Sequence, residues 1–409
     1  MVSPPIHENS LCNFRETIHH ENFGRKGKQM LLIQNGMIYT MESEMPMQGD
    51  VLIENGKIVE IEDKIRAPRG AEILDAMGKN VFPGFIDAHS HIGISEEKIS
   101  MTVDACNEGT TPITPAMRAI DGINPMDSAF HNAIAAGVTS VMVGPGSANP
   151  IGGQFAFIKT YGRCVDEMVV LAPAAIKIAF GENPMNNYGM NGNIPSTRMG
   201  IAALIREELF RAKQYFTDAN RKGEDKDFAM ECYRELFDGK IPLKAHVHRT
   251  DDIFTAIRIA KEFGIRLTLD HCTEGHLIAG HIAKSGYPAI VGPSMSSRSK
   301  REVCLSDFKT PGILQKAGVP VALTTDHPVV RLQYLPLSAG LAVREGMDEM
   351  GALRAITIDA AKICGVDDRV GSLKAGKDAD IVIWENSPLE VRGKVCMTII
   401  NGNVVWSNS

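Results

Sequence analysis

Short apolar runs alternate with amphipathic segments through the middle of the chain, and this alternation constrains the fold more than any other feature. The amphipathic segments 201–215, 252–263 and 275–284 have the character of helices. Strands that alternate with helices are typical of βαβ units in a parallel sheet. The predicted strands are 81–86, 138–144, one within 155–171, 174–180, 242–248, 266–272, 288–293 and 320–326. Eight strands without a glycine-rich fingerprint after the first favour an α/β fold of the (β/α)₈ barrel type over a doubly wound sheet.

The two ends of the chain show a different pattern, in which alternating apolar residues are interrupted by Asn-Gly dipeptides. Asn35-Gly36, Asn55-Gly56 and Asn401-Gly402 each predict a β-hairpin, because the favoured two-residue turn needs positive φ at both positions. We therefore expect one small antiparallel β-domain assembled from both ends of the chain. The predicted division is a poorly ordered extension at 1–28, a composite β-sandwich domain at 29–80 and 366–409, and a barrel at 81–365.

Composition excludes several classes of protein. The chain has 409 residues, of which 44% are hydrophobic and 22% charged, and this balance is typical of a globular protein rather than a disordered one. Its net charge of −6 comes without a basic stripe, so we expect no nucleic-acid partner. No run of about 20 apolar residues predicts a membrane span. The eight cysteines are scattered without a CxxC pair or a preceding signal peptide, so we expect a reduced, cytoplasmic chain.

Histidines collect at the ends of the predicted strands. His89 and His91 stand two residues apart at the end of the first strand, so both side chains point to the same face. Later strand ends supply four further candidates: His246, His248, His271 and Asp326. The carboxyl ends of barrel strands meet at one face, and imidazole with carboxylate suits catalytic Zn²⁺ or a related divalent ion. Each histidine alone could equally be a hydrogen-bonded structural residue, but their coincidence at strand ends favours a metal site.

The motif PGFIDAHSH, which contains His89 and His91, resembles a known family when it is taken with His246, His271 and Asp326. It is similar to the amidohydrolase superfamily of metal-dependent hydrolases, in its prolidase-like and imidazolonepropionase-like branch. The C-terminal run VGSLKAGKDADIVI resembles a strand signature of that superfamily's β-sandwich. The resemblance covers about residues 30–406 and implies a distorted TIM (β/α)₈ barrel beside a composite β-domain. It also implies a hydrolase of amide or related bonds, one or two divalent ions per chain with zinc favoured, and a homo-oligomer.

The resemblance assigns roles to individual residues. His89, His91 and Asp326 would bind the buried metal. His246 and His271 would bind a second metal or, in members with one metal, act as further ligands and polarise the substrate. It further implies that metal-activated water attacks the carbonyl. Asp326 would take the proton of this water and pass it to the leaving nitrogen.

Binuclear members of the superfamily carry a carbamylated lysine at the end of the fourth strand. Lys177 falls about there, and a carbamate offers two oxygen ligands where an ammonium has no lone pair. Three alternatives stay open: an ion pair between Lys177 and Glu182, Glu182 itself as the ligand, and Lys159 as a weaker candidate for the bridge.

The loops after the strands hold the candidate substrate contacts, which are His248, Arg249, Arg298 and His327. Members that deaminate rings or open imidazolone carry a glutamate two or three residues after the fifth-strand histidine, and here those positions are His248 and Arg249. We therefore expect a small amide, peptide or N-acyl substrate of the dipeptide or N-acyl amino acid type. The alternative is a cyclic-amide hydrolase or ring deaminase. A remoter one is a non-catalytic assembly protein of the same fold.

Overall fold

The computed structural model describes residues 30–97, 105–190, 192–218 and 226–408. The extension predicted at 1–28 lies outside the described residues. The strands are β1 (Met30–Ile38), β2 (Met47–Glu54), β3 (Lys57–Glu62), β4 (Glu72–Asp75), β5 (Asn80–Pro83), β6 (Phe85–Ser90), β7 (Val138–Val143), β8 (Ile151–Lys159), β9 (Val169–Ala179), β10 (Leu243–Val247), β11 (Leu267–His271), β12 (Ala289–Val291), β13 (Val321–Leu323), β14 (Ile381–Trp384), β15 (Val395–Ile400) and β16 (Asn403–Ser407).

The helices lie mostly between the strands of the middle region. They are α1 (Ser128–Ala135), α2 (Val165–Met168), α3 (Glu182–Gly189), α4 (Arg198–Thr217), α5 (Phe228–Glu231), α6 (Arg234–Phe237), α7 (Thr250–Phe263), α8 (Ala279–Ser285), α9 (Lys309–Lys316), α10 (Leu335–Arg344), α11 (Glu349–Ala355) and α12 (Ile358–Cys364). The three helical segments predicted from the sequence coincide with α4, α7 and the region around α8. No helix in these described ranges is long and apolar enough to cross a membrane.

Strands β6 to β13 form a nearly closed eight-stranded barrel, as predicted, and neighbours in the barrel follow chain order. Every residue of β6, β7, β10 and β11 is buried. Burial on both faces is expected for strands that lie between a filled interior and an outer layer of helices. The eight-strand α/β barrel confirms the predicted fold class.

One strand departs from the expected parallel arrangement. Strand β8 is antiparallel to both β7 and β9. Only residues 144–150 connect β7 to β8, and a parallel connection needs a crossover of a dozen or more residues. The short connection therefore forces a hairpin. As a consequence Lys159, at the carboxyl end of β8, lies at the opposite end of the barrel from Lys177 in β9.

The first predicted strand is divided between the two sheets. Residues 80–83 form β5, which pairs with β14 near the C-terminus, and only β6 belongs to the barrel. Gly84 separates them and packs tightly, since a Cβ there would lie 2.0 Å from Thr139 Oγ1. The prediction of one strand at 81–86 was wrong because the apolar run continues through this junction.

Both ends of the chain build the second sheet, as predicted, with the order β16-β15-β14-β5-β1-β2-β3 and with β4 beside β1. Asn55-Gly56 and Asn401-Gly402 form the expected hairpin turns. Asn35-Gly36 does not, because it forms a bulge inside β1. Asn35 has φ 60° there, and the bulge lets β1 pair in parallel with β4 before it and with β5 after it. The sheet is therefore mixed rather than purely antiparallel.

Side chains at the seam between β6 and β13 close the barrel. The backbone N–H and the Oγ1 of Thr325 both donate to Asp87 Oδ2, at 2.8 and 2.6 Å. Thr324 Oγ1 donates to the carbonyl oxygen of His89 at 2.6 Å. These bonds fix the segment after β13 against β6, so Asp326 and His89 are held side by side.

Candidate metal centre

The predicted ligands meet at the carboxyl end of the barrel. His89 lies in β6 and His91 follows it, whereas Asp326 follows β13. Asp326 Oδ1 lies 3.5 Å from His89 Nε2 and 3.3 Å from His91 Nε2. The three ligand atoms all lie within 4.8 Å of one another. They form the first convergent group, and it could hold a metal ion.

In two of these histidines the other ring nitrogen is anchored by a hydrogen bond, which fixes the ring. His91 Nδ1 lies 2.7 Å from the Gly144 carbonyl oxygen, and His271 Nδ1 lies 2.8 Å from that of Gly292. A carbonyl oxygen only accepts, so in both residues Nδ1 donates and Nε2 is left for a metal. Gly292 is required at φ 135° because a Cβ would lie 2.2 Å from Thr324 O.

Two buried imidazole nitrogens lie unpaired among the described residues at the site. They are the Nε2 atoms of His246 and His271, which have no hydrogen bond to any described residue. Their rings are 4.4 Å apart, between centroids. Buried polar atoms are normally paired, so unpaired imidazole nitrogens beside the first convergent group fit a metal site.

Opposite charges face each other in the first convergent group. Burial lowers the pKa of His91, but Cys106 and Asp326 outweigh it and raise that pKa to about 10. Burial raises the pKa of Asp326, but His271, His91 and Lys177 hold it below its usual value. A proton on His91 therefore faces the Asp326 carboxylate. The contact is a charge interaction, because Asp326 Oδ1 has no aligned hydrogen bond.

The backbone is strained at two of the ligand residues. His271 has φ 68° and Asp326 has φ 53°, and both values lie in the left-handed region that residues with a Cβ rarely adopt. Strain of this kind collects at functional sites, where the surrounding structure imposes it. Here it turns both side chains toward the same point at the ends of β11 and β13.

Lys177 reaches the same point from β9. Its Nζ lies 3.2 Å from His89 Nε2, and the side chain is fully buried. Burial lowers the pKa of Lys177 to about 8, although the nearby carboxylates of Asp270 and Asp326 oppose this change. The ion pair between Lys177 and Glu182, one of the alternatives to the bridge, is absent from the described contacts.

The alternative lysine and glutamate lie elsewhere. Lys159 Nζ forms an ion pair with Asp380, and a second with Asp378 at 3.2 Å. Glu182 Oε1 accepts the backbone N–H of Glu302 at 3.0 Å. Neither Lys159 nor Glu182 therefore belongs to a group of converging ligands in the part of the chain that is described.

A second convergent group includes a residue that sequence reasoning missed. Ligand atoms of His246, His248 and Glu302 lie within 4.8 Å of one another. His248 Nε2 is 3.9 Å from Glu302 Oε1, and His248 Nδ1 is 2.8 Å from Thr273 Oγ1. The Glu182 N–H donates to Glu302 Oε2 at 2.7 Å. Glu302 lies in a charged segment after β12 that gives no sequence signal of its burial.

A cavity of about 340 Å³ opens above the ligands. The cavity is lined by His248, one of the four candidate substrate contacts, and by Asn183 and Lys300. Much of the remaining wall bears hydroxyl groups, since nine serines and threonines line it: Ser95, Ser147, Thr273, Ser294, Ser296, Ser297, Ser299, Ser306 and Thr310. A lining of this kind is suited to a small polar molecule.

The other three predicted substrate residues lie outside the described lining of the cavity. Arg249 is paired with Asp251 at 3.0 Å, and Arg298 donates to the Ser306 carbonyl oxygen at 2.9 Å. His327 is buried, and its Nδ1 accepts the Leu332 N–H at 3.3 Å. The position of a residue just after a strand therefore does not show whether its side chain faces the cavity or turns away from it.

These features together are those of a barrel hydrolase with a metal centre at its carboxyl end. The chain belongs to the Amidohydrolase family, whose model matches residues 80–405. The superfamily consists of metal-dependent hydrolases that act on carbon–nitrogen bonds, and the chain is a hydrolase of this class.

Comparisons with individual proteins agree with this assignment. Amidohydrolase tasK from Hapsidospora irregularis is 30% identical over 392 residues, but the chain spans only 40% of that protein's length and 88% of its own. A dihydroorotase from Aquifex aeolicus is 24% identical, with coverage of 92% of this chain and 99% of that protein. The crystal structure of an amidohydrolase from Thermotoga maritima MSB8 is similar, with 42% identity, a TM-score of 0.89 and coverage of 92% and 100%.

Proposed function

We propose that the chain is a zinc-dependent amidohydrolase that cleaves an amide, peptide or N-acyl C–N bond in a small polar molecule. The observation that carries the proposal is the convergence of His89 Nε2, His91 Nε2 and Asp326 Oδ1 within 4.8 Å. One ion would be held by these atoms. A second would be held by His246 and His271, with Lys177 as a bridging carbamate. Nitrogen and oxygen donors in this mixture suit zinc.

The environment of Lys177 supports its carbamylation. Only a neutral amine attacks carbon dioxide, and burial lowers the pKa of Lys177 to about 8. The reaction forms one N–C bond and releases one proton, so the product is an anionic carbamate with two oxygens. A carbamate offers ligand atoms to two cations at once, whereas the amine offers one.

The proposed mechanism follows from the protonation states. A divalent ion held by His89, His91 and Asp326 would supply Lewis-acid chemistry and would lower the pKa of bound water to about 7. Asp326 is ionised, since its pKa is lowered, so its carboxylate takes the proton of the attacking water. It then returns this proton to the leaving nitrogen. In a form with one ion, His246 would instead donate a hydrogen bond to the substrate carbonyl oxygen, because the single proton of neutral His271 is on Nδ1, which donates to Gly292.

A second candidate function is ring hydrolysis or deamination, and Glu302 favours it. The sequence disfavours these reactions, because His248 and Arg249 occupy the positions two and three residues after His246 where a glutamate is expected. The structure brings Glu302 Oε1 to within 3.9 Å of His248 Nε2 from another loop. Glu302→Gln would then abolish ring-amine turnover, and metal content measured on the same sample separates this loss from the loss of a metal ligand. If the variant keeps full turnover on a ring amine, Glu302 has no such role.

Activity measurements on one metal-replete preparation separate the candidates. Dipeptides and N-acyl amino acids are followed by amine release, cyclic amides by ring opening, and ring amines by a coupled ammonia assay. The proposal expects amine release from the acyclic amides, lost on chelation and restored by zinc. Turnover of cyclic substrates alone would favour the second candidate. No turnover in any class would support the non-catalytic assembly protein.

Compartment and assembly are part of the same proposal. From composition and family resemblance, we propose a cytoplasmic homo-oligomer. Sedimentation equilibrium of the full chain measures its mass in solution, and a single species with the 44.5 kDa of one chain would contradict the oligomer.

A further inference from the structure

We propose that Asp270 and Lys244 act behind His89 as positioning residues that orient its ring and strengthen its binding to metal. This inference rests on the proposed function, because it assumes that His89 Nε2 binds a divalent ion. It concerns a buried row of polar side chains in the barrel interior, Lys244–Asp270–His89, of which the mechanism above uses only His89.

The row is joined by short contacts. His89 Nδ1 lies 2.6 Å from Asp270 Oδ2, and both side chains are fully buried. Lys244 Nζ lies 3.0 Å from the same Oδ2 and donates to the Ala88 carbonyl oxygen at 2.8 Å. Thr268 Oγ1 donates to Asp270 Oδ1 at 2.8 Å. Both carboxylate oxygens of Asp270 therefore have partners, and Lys244 balances the negative charge.

Strand register places these groups together. Lys244 lies opposite Lys177 on β9 and opposite Thr268 on β11. Asp270 lies opposite His246. Residues opposite each other on neighbouring strands share a face of the sheet, so one face carries both the ligands and the groups behind them.

Asp270 distinguishes His89 from the other anchored ligands. His91 and His271 donate from Nδ1 to neutral carbonyl oxygens, whereas His89 faces a carboxylate at 2.6 Å. A carboxylate that accepts from a metal-binding imidazole fixes the ring and makes the other nitrogen a stronger ligand. Among these histidines, we therefore expect the binding of His89 to metal to depend most on the hydrogen-bond partner of its Nδ1, which is Asp270.

The test measures metal affinity by competition with a chelator, rather than activity. In Asp270→Asn the affinity of the zinc-loaded protein should fall by about 10- to 100-fold, and the visible spectrum of the cobalt-substituted protein should shift. Asp50→Asn is the matched control. Asp50 is also buried and accepts the backbone N–H groups of Asn35 and Ile65, at 2.9 and 2.8 Å, but it lies in the terminal sheet. The metal affinity and the cobalt spectrum of Asp50→Asn should stay at wild-type values.

A milder variant keeps the inference testable if Asp270→Asn does not fold. Thr268→Val removes only the bond to Asp270 Oδ1 and should weaken metal binding in the same direction by a smaller factor. Wild-type affinity in folded Asp270→Asn, or in Thr268→Val where Asp270→Asn does not fold, would overturn the inference while leaving the proposed function intact. If the wild-type protein itself bound no divalent ion, the proposed function would fail instead.

Discussion

His91 Nε2 lies 3.3 Å from Asp326 Oδ1, which joins the first strand of the barrel to the loop after its last. The raised pKa of His91, about 10, means that a proton sits between these residues when no metal is bound. The proposed metal must displace that proton. Metal binding at this site would therefore be coupled to the loss of a proton from His91.

Metal affinity should rise with pH because of that exchange. The pKa values of His89, His246 and His271 are lowered, so at pH 7 these residues are already neutral and release no proton. His91, with its raised pKa, must lose one, so affinity should increase about tenfold per pH unit between pH 7 and 9. Below about pH 8, carbamylation of Lys177 would steepen the slope. Chelator competition at several pH values measures this, and a flat profile would contradict the assignment of His91.

Asp326→Asn should keep the fold and most of the metal but lose turnover. The amide cannot accept the proton of the attacking water, and removal of a positioned acid or base typically costs about 10²- to 10⁴-fold in rate. Steady-state kinetics with metal content measured on the same sample checks this expectation. A rate near that of the wild type would remove Asp326 from the mechanism.

Lys177→Ala should lower the metal content, because it removes the proposed bridge between the two ions. Lys177→Glu is the informative companion, since its carboxylate offers two oxygens and should retain more metal than alanine does. Elemental analysis of both purified variants gives the comparison. Two ions per chain in Lys177→Ala would show that the lysine is not a ligand.

Lys159→Met should destabilise the protein without changing its metal content. Lys159 is 2% exposed, and its loss leaves Asp380 without its ion-pair partner between the barrel and the terminal sheet. Breaking a buried pair in this way typically costs about 3–5 kcal/mol. Lys57→Met is the control, because Lys57 is 49% exposed and should cost less than about 1 kcal/mol. Chemical denaturation measures both, and equal effects would contradict the structural role of Lys159.

Sequence reasoning identified the side chains that converge in the structure, because barrel geometry gathers strand ends at one face. His89, His91, Lys177, His271 and Asp326 all lie where a strand count places them. The same reasoning could not find Glu302, since its segment resembles an exposed charged loop. It also assigned Arg298 to the cavity, because sequence position does not show which way a loop side chain turns.

The errors in the fold have a similar origin. Asn35-Gly36 has the composition of a hairpin turn, yet pairing with β4 and β5 makes it a bulge. The apolar run from Val81 to Ile86 continues through a change of sheet at Gly84. In both places tertiary pairing, rather than local pattern, decides the structure.

We propose a centre of two divalent ions that a modified Lys177 bridges. Its most direct test is elemental analysis of metal per chain, with intact mass spectrometry under neutral, carbonate-containing conditions to detect carbon dioxide added at Lys177. We predict two divalent ions and one carbamate per chain. A single ion with an unmodified lysine would contradict the bridge and favour a mononuclear enzyme, and no metal at all would contradict the hydrolase mechanism.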